Sequence, residues 1–274
     1  MTSEQIKEIL AKHQLWLKTD GKKGERANLK GVRLYDADLE RADLIGADLS
    51  RADLEKAHMG QFNLSKAKLY KANLAEAYLY QANLSWANLY NSILEASSLA
   101  GANLSYANME LVKLSASNLE NANLKGAKLQ YANLIWANLA GANMEGARLD
   151  CANLYGTNLK GANLKYAKLP WANLYGAKLE GADLTGADLY ATIGNMREVK
   201  SLQLDEYHIT YTADRLQIGC ENHSIEAWRG FSDERIDGMD SEALRTWWEK
   251  YKDIIFQIIE LSPATPTGHE EKEQ

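Results

Sequence analysis

Residues 37–54 read ADLERADLIGADLSRADL, so that an alanine, an acid and a leucine return every five residues. Outward from there the frame runs without a slip from position 29 to position 189. Every fifth residue is Leu, apart from Met59, Met109 and Met144. Two places earlier the slot is Ala, except at Val32, Phe62, Ser92, Ser97, Val112, Ser117 and Thr157. Asn or Asp precedes the Leu or Met in 22 of 33 repeats, and Gly follows it by two residues in eleven, which marks where the chain bends. A period of five suits neither regular element. On a helix it advances about 500° per repeat and smears leucines around every face. On a flat strand an odd period sends successive leucines to opposite faces. Ala and Leu are two apart, however, and so share one face of three extended residues. The chain must then turn within the other two, where Gly and the adjacent Asn or Asp suit a tight corner. Each repeat is one short side of a coil. Stacked coils pair backbone to backbone at about 4.8 Å, with small Ala and large Leu filling a narrow interior.

The stretches 37–54 and 153–169 (NLYGTNLKGANLKYAKL) resemble the pentapeptide-repeat family, A(N/D)LXX. The resemblance implies an all-β solenoid: a right-handed β-helix of square cross-section with four pentapeptides per coil. Over 27–191 it implies about eight coils and a rod on the order of 40 Å at one strand spacing per coil. Fold alone does not specify a role, because members serve unrelated ones.

A solenoid exposes apolar core and unpaired backbone at its ends, so residues 1–26 and 192–274 are expected to close it. In the first segment Ser3 is the predicted N-cap of a helix over 3–17. Ile6, Ile9, Leu10, His13, Trp16 and Leu17 lie on its inner face, and Gly21 and Gly24 lead into the first coil. In the last segment the frame is lost at Gly194. Residues 207–212 and 215–220 predict a β-hairpin about 213–214. A short helix is expected after Ser224, ending at Gly230, and another from Ser232. The strongest helix starts from Asp240 or Ser241 and carries Leu244, Trp248, Tyr251, Ile255 and Ile258, widened by Trp247, Ile254 and Leu261. That stripe predicts either closure of the rod or a homodimer through the C-terminal helix. The tail from 262 has the composition of a disordered segment.

With 46% apolar and 25% charged residues, the chain is of the folded class. Acids outnumber bases 37 to 31, which argues against direct nucleic-acid binding. The excess is local, since residues 27–191 carry sixteen of each and residues 192–274 carry nine bases against seventeen acids. Cys151 and Cys220 give no disulfide framework. No apolar run reaches the ~18 residues of a membrane span, and the N-terminus lacks a signal-peptide core. The expected location is cytoplasmic.

Catalytic motifs are missing. There is no phosphate loop, nucleophile elbow or metalloprotease signature, and an Ala/Leu interior leaves no substrate pocket. Neither an enzyme nor a cofactor is expected. Cys220 and His223, with His208 across the hairpin, are the best metal-ligating candidates, but three ligands fall short of a closed tetrahedral site.

With four repeats per coil, residues 20 apart stack. The side of Leu69, Leu89 and Met109 then carries Tyr70 over Tyr90 and a basic column of Lys128, Arg148 and Lys168. Its leading corner holds Trp86, Tyr106 and Tyr166. Its trailing corner holds Leu111, Tyr131, Cys151 and Trp171, beside Ile135, Trp136, Tyr155 and Tyr175. Aromatic residues beside Arg and Lys are what protein interfaces favour. The candidate partner-binding residues are therefore Tyr131, Trp136, Arg148, Tyr155, Lys168, Trp171 and Tyr175, and stacking between coils is the competing explanation. The line of Asp43, Asn63, Asn83, Asn103, Asn123, Asn143, Asn163 and Asp183 is expected to brace successive turns.

Two functions follow. The first is a rigid protein–protein interaction scaffold. The second is implied by the resemblance, since some members mimic duplex DNA, occupy the DNA site of gyrase and confer quinolone resistance as dimers. A mimic needs acidic columns to match one charge per ~1.7 Å of duplex. The rod is charge-balanced, and Asp38, Asp43, Asp48 and Asp53 ring one coil instead of lining a face.

Overall fold

Backbone pairing runs at a fixed offset of 20 residues through the repeat. In the computed structural model, which describes residues 2–37, 39, 43–239 and 242–268, parallel bridges join Asn28 to Asp48, Asn83 to Asn103, and so on to Asn173 with Ile193. From Leu29 to Leu174 each inner leucine or methionine donates to the coil above: Leu49 N–H meets the Lys68 carbonyl at 2.8 Å, and Lys68 N–H returns to the Ala47 carbonyl at 2.9 Å. Residues 28–193 at that offset form a little over eight coils of four sides. The first side carries Leu129, Leu149 and Leu169; the second, Leu134, Leu154 and Leu174; the third, Leu139, Leu159 and Leu179; the fourth, Met144, Leu164 and Leu184.

At the corners the chain makes a β-turn in which the alanine-slot N–H returns to the preceding leucine carbonyl, as from Ala52 to Leu49 at 3.0 Å. The second residue after each leucine lies in the left-handed region, φ +68° at Gly46 and +59° at Arg51. That backbone is free for Gly and costs about 1 kcal/mol or more for other residues. Inside, the Leu and Ala slots are buried from Leu44 to Leu174. Where Ser or Thr takes the Ala slot, its hydroxyl is bonded: Ser92 to the Leu89 carbonyl at 2.7 Å, Thr157 to that of Leu134 at 2.9 Å. The asparagine line forms the expected brace. Asn63 Oδ1 accepts from Ser65 N–H at 3.2 Å and from Asn83 Nδ2 at 3.2 Å, and the pattern repeats coil by coil.

The first helix, α1 (Ser3–Lys18), packs Ile6, Ile9 and Leu10 on the interior of the first coil. Its N-cap is Thr2 instead of the predicted Ser3. Only at Thr2 does a capping box close, with Gln5 three residues on. His13 is fully buried, its Nδ1 accepting from Ala27 N–H at 3.1 Å while Nε2 has no partner. Burial holds this imidazole below the ordinary histidine range; nearby Asp43 opposes the shift and Arg26 adds to it. A depressed value in the folded state means that protonation favours undocking. Helix docking is therefore expected to be complete above the unfolded value, near pH ~6.5, and to weaken as pH falls below it. Thermal melts at pH 7.5 and 5.0 check this, and His13→Asn should flatten the difference while keeping an acceptor for Ala27.

After the last coil a four-stranded antiparallel sheet forms in sequence order, β1 (Lys200–Leu204), β2 (Tyr207–Tyr211), β3 (Arg215–Ile218) and β4 (Glu221–Ser224). The expected hairpin is β2–β3, with Tyr211 opposite Leu216 and a turn at 213–214. It is flanked by two strands that the sequence reading did not include. Helices α2 (Ile225–Gly230) and α3 (Asp233–Asp237) start from N-caps Ser224 and Ser232, as expected. The last helix, α4 (Glu242–Leu261), follows; Asp240 and Ser241, its expected start, lie outside the described residues. The tail expected to be disordered from 262 is instead held in place as far as 268, with Ala264 buried and Thr265 N–H donating to the Arg197 carbonyl at 2.8 Å; from 269 it lies outside the described residues.

Two amides of this sheet replace the missing next coil. Gln217 Oε1 accepts from Leu189 N–H at 2.9 Å while its Nε2 donates to Asp188 at 2.9 Å, and Asn222 Nδ2 donates to the Ala187 carbonyl at 3.1 Å. Gln217→Leu strands the buried Leu189 N–H and is expected to cost about 1–3 kcal/mol, read as a lower urea midpoint.

Candidate functional site

Coil stacking brings the sequence-predicted surface residues onto two adjoining sides of the rod near its C-terminal end. On the first side Lys128, Arg148 and Lys168 form one exposed column, linked by backbone bridges. Arg148 is held in place by Asp150 at 3.5 Å, and the Gln130 amide, turned so that its oxygen faces the guanidinium, accepts from Nε at 3.1 Å and Nη2 at 3.2 Å. The corner between the sides stacks Tyr131, Cys151 and Trp171. The second side gathers Trp136, Tyr155 and Tyr175: Trp136 meets Tyr155 edge-on at 5.2 Å, and Tyr155 stacks on Tyr175 at 5.8 Å. Trp171 differs from the rest. Its ring abuts His208 at 4.9 Å and Tyr190 at 5.5 Å, tying the rod to β2 beside a groove of about 250 Å³.

The stacking explanation accounts for part of this arrangement. A Cβ built on Gly126 or Gly186 would strike the Tyr106 or Tyr166 ring at 2.6 Å, and one on Gly156 would strike the Trp136 ring. Tyr106, Trp136 and Tyr166 each lie over the glycine of the next coil, and Trp86 stacks on Tyr106 at 4.7 Å. Yet the outer faces stay in solvent, with Trp136 62% and Tyr166 63% exposed. Corner Tyr131, Trp136, Tyr166 and Trp171 all have φ near +60°. Bulky residues rarely adopt that conformation, and glycine would fit the corner without strain. Two residues beyond the predicted set extend the patch. Ile193 and Met196 are more than half exposed; Ile193 lies one coil above Asn173, and Met196 follows where the repeat has ended. The 20-residue offset points to Ile193; no signal in the sequence points to Met196.

The other candidates disperse. His208 packs against Trp171, His223 Nε2 meets Glu221 at 2.9 Å, and Cys220 sits in an exposed turn. Among the described residues no three His, Cys, Asp or Glu side chains converge as metal ligands. The α4 stripe packs on its own sheet: Leu244, Trp247, Trp248 and Ile255 are buried with Ile209, Tyr211, Leu216 and Trp228. Trp247 Nε1 donates to the Leu204 carbonyl at 3.0 Å, and Tyr251 bonds Asp205. Ile258 is half-buried, while Ile254 and Leu261 remain exposed. Of the four aspartates, Asp38 lies outside the described residues, and Asp43, Asp48 and Asp53 bond the backbone two residues on. Among the described residues no helix is long and apolar enough to cross a membrane.

The geometry defines a four-sided β-solenoid with a decorated end. The profile of pentapeptide repeats matches it in eight copies over residues 25–61 and 63–190. The chain belongs to the pentapeptide-repeat family, whose fold is a right-handed quadrilateral β-helix. Among solved structures it is similar to HetL, a pentapeptide repeat protein involved in heterocyst differentiation regulation from Nostoc sp. strain PCC 7120. That match is 32% identical over 66% of this chain and 92% of that one, with a TM-score of 0.37. It is also similar to QnrB1, a plasmid-mediated fluoroquinolone resistance protein, at 18% identity over 60% and 86% with a TM-score of 0.47. A third is a pentapeptide repeat protein of the Arabidopsis thaliana thylakoid lumen, at 27% identity over 38% and 70% with a TM-score of 0.27. No curated protein matches the chain.

Proposed function

We propose that the protein is a non-enzymatic scaffold that docks an acidic protein partner on the aromatic-basic face. Residues 1–26 and 192–274 close the two ends of the rod formed by 27–191. One observation carries the reading: large aromatic rings are retained, solvent-facing, at left-handed corners where glycine would cost less. Trp171 also anchors β2, but stability alone gives no reason to place Tyr131 and Trp136 at that end, beside Arg148 and Lys168. The charge of the column selects an acidic surface, and the flat rings supply contact area at small entropic cost. The gyrase reading has less support. The outward column of the first side runs Asn88, Asn108, Lys128, Arg148, Lys168, where a duplex mimic needs acids. With Leu244, Trp247, Trp248 and Ile255 committed to the chain's own sheet, a homodimer through α4 would rest on Ile254, Ile258 and Leu261.

Capture from a lysate of the source cells on immobilised protein tests the proposal, with a variant carrying Arg148→Glu and Lys168→Glu in parallel. A partner retained by the wild type and lost by the variant, at equal folding by circular dichroism, is the expected result. Equal retention by the two proteins sinks the reading.

A further inference from the structure

The corner between the fourth and first sides stacks aromatic rings and then stops. Trp86 stacks on Tyr106 at 4.7 Å, and the Tyr106 ring rises to the next coil, where a Cβ on Gly126 would strike it at 2.6 Å. Three coils higher Tyr166 does the same, its ring lying where a Cβ on Gly186 would stand. Gly146 comes between them. A Cβ built there meets nothing within 4 Å among the described residues. The Tyr106 and Tyr166 rings are three coils apart, about 14 Å at one strand spacing per coil. Trp86 covers the lower face of the Tyr106 ring, and the upper face opens onto that space. The next ring of the stack would lie one coil higher, over Gly146. Gly268, where the described chain ends, follows the Thr267 carbonyl that pairs with Gly181, at the far corner of the fourth side.

The notch is framed in positive charge. Residues 125–128, 145–148 and 165–168 carry this corner through three coils and hold five bases and one acid. Lys125 and Lys165 are matched by Glu145 and Asp183 at 3.0 Å each. That leaves Lys128, Arg148 and Lys168, exposed on the first side, as the charge beside the notch. Arg148 is two residues from Gly146 and stands at its rim. A flat ring with acids next to it satisfies both features. Rings stack with centroids about 4.5–7 Å apart, the interval that the coil spacing provides. A purely acidic segment would leave the notch unfilled, and an aliphatic side chain would forgo the stacking.

We infer that the notch over Gly146 takes one aromatic side chain of the acidic partner. The ring stacks on Tyr106, while carboxylates beside it in the partner's sequence meet Arg148 and its column. The recognised motif is an aromatic residue flanked by acids. The inference rests on the acidic-partner reading above and adds an anchor to it.

The test is fluorescence anisotropy of labelled GDEWEDG and GDELEDG peptides titrated with the full chain. Saturable binding of the first is expected, at least tenfold tighter than of the second. Gly146→Tyr fills the notch with a residue that the corner already accepts, since Tyr106 and Tyr166 hold φ +58° and +56° at equivalent places. It should weaken GDEWEDG binding at least tenfold with circular dichroism unchanged. Tyr106→Ala, which removes the platform, should do the same. Equal affinity for the two peptides, or unchanged binding by both variants, would overturn the inference. The acidic-partner reading would survive that result if Arg148→Glu with Lys168→Glu still abolished binding. No saturable binding of either peptide would also overturn the inference, and capture from the lysate would decide the acidic-partner reading by itself. A tenfold gain on removal of residues 269–274, or self-association that Gly146→Tyr abolishes, would assign the notch to the chain's own end or to a second copy and overturn it too.

Discussion

Leu124→Asp is expected to unfold the middle of the rod, with a loss of about 5 kcal/mol or more. Leu124 is 1% exposed and sits between Leu104 and Met144 in one interior column. Its removal forfeits the packing of a whole side chain. The carboxylate that replaces it meets only apolar side chains, Leu104 and Met144 among them, with the neighbouring backbone groups already committed to ladder bonds. Because each coil touches only its neighbours, damage at one coil uncouples the segments on either side. Urea unfolding should change from one transition to two, or shift to a much lower midpoint. Leu124→Met should cost less than about 1.5 kcal/mol, since Met109 and Met144 already fill such slots. A wild-type midpoint for the aspartate variant would mean that the interior is not packed as described.

The second large effect falls on partner affinity. Removing both indoles, Trp136→Ala with Trp171→Ala, is expected to weaken capture about a thousandfold, at about 2 kcal/mol or more for each central aromatic anchor. The two positions differ in what else they do. Trp136 lies over Gly156 and touches only the rod, so its loss should leave the melting temperature within a few degrees. Trp171 also packs against His208, so its loss should loosen the junction between rod and sheet as well. Isothermal titration with the captured partner, beside thermal melts of each single variant, separates the two. Unchanged affinity in the double variant would assign both rings to stacking alone.

Most of the rod was legible from its sequence because a five-residue frame fixes phase. Once Ala and Leu are assigned inward, every outward residue has a side and a height. Glycine's frequency two places after each leucine announced a tight corner; the structure makes it left-handed, and Trp and Tyr in that slot follow into it. The ends were less legible. Gln217 and Asn222 look like ordinary polar strand residues, and their role depends on contacts 28 and 35 residues away. Strand β4 (ENHS) carries no alternation of its own and exists because Arg215–Ile218 offers an edge. The α4 stripe was visible, but its periodicity could not say whether a second chain or the chain's own sheet would cover it. The sheet has two more strands than the predicted hairpin, and that added width makes the cover intramolecular.

The 20-residue offset also limits how such a protein can change length. Loss or gain of a whole coil preserves the compass bearing of every column relative to α1 and the sheet. A single five-residue unit instead rotates everything beyond it by a quarter turn. The basic column, the aromatic corner and the notch at Gly146 would then point in new directions without any contact being redesigned. Duplication of one repeat is in this sense a clockwork step, able to re-aim a finished surface at a different partner.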